Sequence, residues 1–166
     1  MPGMWWVVGV VALVVLVASY VTWTAARVDR LHARAASATK ALDAHLVRRA
    51  AAAAVLADEI GSADLYAAAR SALDAASGDR EAAENDLTRQ LRRLDDPDER
   101  ASLPAVVGAS RRVVLARQMH TDLVRDALAM RRRPLVRVLR LTRRHPPPAY
   151  FDVDDPTLAP RATVRP

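Results

Sequence analysis

From Trp5 to about Val21 the chain is apolar almost without a break, WWVVGVVALVVLVASYV, and no Asp, Glu, Lys, Arg or His precedes Arg27. At 1.5 Å per residue, a helix of roughly 18 to 20 residues spans about 27 to 30 Å, the hydrocarbon thickness of a bilayer. Trp5, Trp6, Tyr20 and Trp23 stand at the two ends of the run, where an apolar ring body with a polar atom suits the membrane–water boundary. Beyond it the apolar positions thin out and become periodic. Val28, Leu31, Ala35, Ala38, Leu42, Leu46, Ala50, Ala53 and Leu56 recur at spacings of three and four, so one helix is expected to continue to about Ile60. Gly61-Ser62 should end it, glycine being suited to the left-handed position after a helix.

Further helices are expected at Ala63 to about Ala76, stopped by Ser77-Gly78, and at Asp79 to Leu94, with Ala83, Leu87, Leu91 and Leu94 on one face. Asp96-Pro97-Asp98-Glu99 reads as a helix start, with a capping acid, a first-turn proline and a reciprocal acid. After Leu103-Pro104 a long helix carries Val106, Val107, Val113, Val114, Leu123, Val124 and Ala127 towards Arg133, and Pro134 interrupts it. The following PLVRVLRLTRRHPPP sets Leu135, Val138, Leu139 and Leu141 against Arg137, Arg140, Arg143 and Arg144. After Pro146-Pro147-Pro148 an extended tail is expected. No strand-like alternation occurs. The fold class is all-α: residues 1–23 form an N-terminal transmembrane anchor, 24–133 an antiparallel four-helix bundle continuous with it, and 134–166 a basic amphipathic segment and Pro-rich tail.

Charge adds direction to this picture. A cleaved signal peptide needs a basic n-region and a shorter apolar core, whereas Met-Pro-Gly precedes a long one here, so the segment reads as an uncleaved anchor. Arg27, Arg30 and Arg34 follow the span with Asp29 the only acid among them. The expected orientation is a short N-terminus outside and the remainder in the cytoplasm. Residues 61–100 hold six basic and ten acidic side chains and residues 101–148 hold eleven and two, which concentrates the positive charge late in the chain. Ala supplies 34 of 166 residues, and aromatics beyond the anchor are only Tyr66, Tyr150 and Phe151. The helices must therefore approach closely to bury comparable area.

Several pieces, in order, resemble the LemA family of membrane-anchored bacterial helical proteins. Leu42-Asp43-Ala44-His45-Leu46-Val47-Arg48-Arg49 looks like its signature of an apolar residue, Asp, Leu and an Arg pair. Ala69-Arg70, then Ala83-Glu84-Asn85-Asp86-Leu87 with Leu91 and Leu94, look like its second and third helices. Ala116-Arg117, Asp122, Val124 and Pro134 track its last long helix, and Ala149-Tyr150-Phe151-Asp152 with Pro160 and Val164 is similar to its ending. The chain departs from the pattern at Ala50 to Ala54, His120-Thr121 and Leu128, which makes it a divergent member. The resemblance implies a four-helix bundle on an N-terminal anchor, a small extracellular N-terminus and no enzyme activity.

Scattered glycines exclude a phosphate-cradling loop, no Ser stands in a nucleophile elbow, and the absence of Cys excludes thiolate chemistry. His32, His45, His120 and His145 lack ligand spacing and read as surface or capping residues; the acidic run is read as a helix start before a cation site. No cofactor is expected. The charged residues that match the LemA-like pattern, Asp43, Arg48, Arg49, Arg70, Glu84 and Arg117, form a candidate polar set. They suit interhelical ion pairs, a groove for a partner segment, or solvated surface charge. Arg137, Arg140, Arg143 and Arg144 suit a solvated helix end or contact with an anionic membrane surface, and nucleic acid is not an expected partner because stacking aromatics are missing. The expected function is a membrane-tethered scaffold or modulator of another membrane protein, the alternative an anionic-phospholipid-binding surface protein.

Overall fold

The computed structural model describes residues 3–94, 102–139, 141 and 146–151. Among them all regular structure is helical: α1 Gly3–Ile60, α2 Ala63–Asp74, α3 Arg80–Arg92, α4 Leu103–Arg131 and α5 Pro134–Val138. The expected start at Asp96–Glu99 and the tail beyond Phe151 lie outside the described residues, and residues 146–151 carry no regular secondary structure.

Each boundary has a local cause. After α1, the Ser62 N–H donates to the Ala57 carbonyl (2.9 Å) and the Gly61 N–H to that of Asp58 (3.2 Å), while Gly61 takes a φ of 66°. This paired closure satisfies two end carbonyls and needs a left-handed residue, which glycine supplies without a Cβ clash. Ser62 then serves the next helix, its hydroxyl accepting from the Leu65 N–H. α2 ends at Asp74, two residues short of the expected Ala76, because Ala75 is already extended. Across that elbow Arg80 donates to the carbonyls of Ala75 (2.9 Å) and Ala72 (3.5 Å), supplying partners that a glycine turn would otherwise provide. α4 ends at Arg131 instead of Arg133, since Arg133, preceding Pro134, is extended and Pro134 opens α5.

The residues group into two compact units, and α1 and α4 contribute to both. The first comprises Met1–Ser37 and Asp122–Ala149. Its apolar stretch is long and apolar enough to cross a membrane, and none of that window is buried. The Thr22 and Thr24 hydroxyls donate to carbonyls one turn back, to Ser19 at 2.9 Å and Tyr20 at 2.8 Å, so they add no unsatisfied donor near the apolar stretch. The Arg27 guanidinium lies 5.7 Å from the Trp23 ring centre. Burial begins at Thr24, and Val28, Met130 and Val136 form a small core with Leu31 and Leu141 against it.

The second unit comprises Ala38–Thr121 and Tyr150–Pro166. Its core draws on four helices: Ala50, Ala53, Leu56 and Ala57 from α1, Leu65, Ala68, Ala69 and Ala72 from α2, Ala83, Leu87 and Leu91 from α3, and Val106 from α4. Seven of these twelve are alanines, so small side chains line most of this core. Val106 joins the core near the end of α1, while His120 Nε2 lies 3.2 Å from Thr39 Oγ1; within this unit α4 therefore runs opposite to α1. Leu42, Leu46 and Val113 form a second cluster, with Phe151 packed against it.

Candidate functional site

Arg49 occupies a position in the apolar register of α1, three residues after Leu46 and four before Ala53, and is carried into the interior with them. It meets α3. Its Nη1 donates to Glu84 Oε2 at 3.1 Å and its Nη2 to Thr88 Oγ1 at 2.8 Å; Thr88 Oγ1 donates in turn to the Glu84 carbonyl at 2.8 Å. Both charged side chains are 0% exposed. Arg49 Nε and Glu84 Oε1 find no hydrogen-bond partner among the described residues, so the pair is enclosed without being fully satisfied.

Burial dominates the electrostatics. It pushes the Glu84 carboxyl up to about 7 against the opposing pull of the Arg49 and Arg80 charges, and it lowers Arg49 despite Glu84. A second ion pair lies alongside, Arg80 Nε to Asp43 Oδ1 at 3.4 Å, with Asp43 more than half exposed. The polar stripe Arg80, Glu84 and Thr88, spaced by four along α3, thus faces Asp43 and Arg49 of α1.

The candidate residues divide accordingly. Asp43, Arg49 and Glu84 come together, and Arg80 and Thr88 complete the group. The i, i+4 spacing of Arg80 and Thr88 about Glu84 was the available signal for them. Arg48 lies exposed on the solvent side of α1, and Arg70 is exposed and pairs within its own helix with Asp74 at 3.4 Å. Those two stand outside the network, because a helix that buries position 49 turns position 48 outward by one-quarter turn and more. Arg117 is half-buried on α4. Of the basic set, Arg137 is exposed on α5, and Arg140, Arg143 and Arg144 lie outside the described residues.

Two histidines depart from the surface reading. His120 is buried, and burial lowers its pKa. His32 is buried too: its Nδ1–H donates to the Val28 carbonyl (2.9 Å), which leaves Nε2 to accept from Arg131 Nη1 at 3.3 Å. His45 is half-buried and His145 lies outside the described residues. Among the described residues no three His, Cys, Asp or Glu side chains stand together as a metal site would need. In the elbow of α2 and α3, Asp74 and Asp86 border a shallow groove, each already paired with an arginine, Asp86 with Arg89 at 2.9 Å.

No family model, curated protein or solved structure matches this chain.

Proposed function

We propose that the chain is a membrane-tethered, non-enzymatic helical scaffold or modulator of another membrane protein, its four-helix bundle facing the cytoplasm. One observation carries the reading. α1 is a single helix whose first part is apolar and unburied and whose later part, from Val28, is a buried stripe. An apolar surface that no part of this chain covers needs lipid or another span around it. The same helix passes directly into packing, so the anchor is built into the domain. The buried Arg49–Glu84–Thr88 group supports a structural assignment for the family-like charges: it joins α1 to α3 and fixes their register. The ordered likeness to LemA proteins, with its implied absence of enzyme activity, points the same way.

The test is photo-crosslinking in native membranes. Crosslinking residues replace Val11 and Leu16 on the span and Leu115 and Met119, both exposed on α4. A discrete protein adduct from either pair is the expected result. Lipid adducts alone from the span, with none from α4, would sink the scaffold reading and favour the lipid-binding one.

A further inference from the structure

α5 has an apolar face that its own fold leaves uncovered. Pro134 starts a new helical direction, and Val136 alone of its residues is buried, packed with Val28 and Met130. The Leu141 N–H reaches back to the Val136 carbonyl at 3.1 Å, and Leu141 joins the same small core, which ties down both ends of the segment. Leu135, Val138 and Leu139, spaced i, i+3 and i+4 and hence on one side, are 49%, 77% and 41% exposed. Arg132, Arg133 and Arg137 are exposed around them. Val28, to which α5 is pinned, lies five residues past Trp23, an axial rise of about 8 Å. α5 is thus held close to the end of the apolar stretch, within the same compact unit.

We infer that α5 is a second membrane contact: Leu135, Val138 and Leu139 enter the headgroup boundary of the same bilayer that holds α1, and Arg132, Arg133 and Arg137 meet anionic headgroups there. This rests on the anchoring proposed above. The occupant is lipid because α5 is packed through Val136 onto Val28, just past the apolar stretch of α1, and because the exposed arginines are complementary to an anionic leaflet. The residues that carry the contact are apolar ones, and Arg132, Arg133 and Arg137 stand exposed around them. One span alone leaves the first unit free to tilt and swivel, whereas two contacts fixed to each other by the Val28–Met130–Val136 core set the attitude of that unit to the membrane plane.

The chain contains no cysteine and all three of its tryptophans belong to α1, at or within the ends of the span, so two separable signals are available. Full-length protein is reconstituted in vesicles of phosphatidylcholine with phosphatidylglycerol, with an environment-sensitive fluorophore on Leu139→Cys or, as a control exposed on α1, Ala36→Cys. Headgroup-depth spin-labelled lipid should quench the Leu139→Cys probe severalfold more than the Ala36→Cys probe, with a blue-shifted emission. Adding Leu135→Ser and Val138→Ser should abolish that difference, and omitting phosphatidylglycerol should weaken it. A Leu139→Cys probe as wet and unquenched as the control overturns the inference. So does a blue-shifted but unquenched probe, which would mean protein covers the face. Equal quenching without phosphatidylglycerol removes the arginines from the contact. Tryptophan quenching by the same lipids reports the anchor separately: if it persists when the α5 signal is absent, only the second contact fails.

Discussion

Arg49 and Glu84 illustrate how much a single buried charge depends on its partner. Removing the cation in Arg49→Met leaves the Glu84 carboxyl buried without its partner and should cost about 3 kcal/mol, whereas Arg49→Met combined with Glu84→Leu should recover most of the loss. Chemical denaturation of the two variants checks this, and equal losses in both would show that packing, not the charge, sets the penalty. The pair also predicts a pH dependence. Glu84 keeps its proton to about 7 when folded, against an ordinary value of 4.5, so in that window the folded chain binds the additional proton. Stability from this group is therefore present at the acid side and declines as pH rises through the window. Glu84→Gln should flatten that decline in urea midpoints measured at successive pH values; an unchanged slope would assign it to other groups. Arg49 was legible as a candidate only as one half of the LemA-like pair Arg48-Arg49. Arg48 beside it was not separable from it by residue type, and only the helix phase shows which of two adjacent arginines turns inward.

At the scale of elements, the closure after α1 offers the sharpest test. Gly61→Ala meets no neighbouring atom at its new Cβ, so any loss comes from the backbone, and the left-handed φ should cost about 1 to 2 kcal/mol. A melting temperature unchanged by that substitution would mean α1 ends without the Gly61 conformation. Long elements were readable because periodicity accumulates: nine stripe positions from Val28 to Leu56 outvote any single exception, and Leu31 and Ala38 are the two that remain half-exposed at most. The stops at Gly61-Ser62 and before Pro134 were readable from backbone chemistry alone. α5 was not. Five residues are less than two turns, too few for a period to declare itself, so the buried position fell on Val136 rather than on the face bearing Leu135, Val138 and Leu139. The same shortage explains the shift at α2, where Arg80 closes the elbow through contacts that no local pattern encodes.

For the molecule as a whole, the proposed orientation rests on the arginines after the apolar stretch. In intact cells an impermeant thiol reagent should label Gly3→Cys and spare Ala76→Cys; the reverse pattern would invert the topology. The all-helical composition and the apolar first helix were open to sequence reasoning, while the way the chain divides into two units, with α1 and α4 serving both, was not, because it depends on contacts between residues far apart along the chain. The alanines at the centre of the second unit have a thermal consequence. Unfolding a core of small side chains wets little hydrocarbon, and the heat-capacity increment should fall below the usual figure of roughly 12 cal/mol/K per residue. Calorimetry should then trace a shallow stability curve, one that changes little between cold and warm conditions, so that the unit tolerates cooling better than a leucine-filled core of equal stability would.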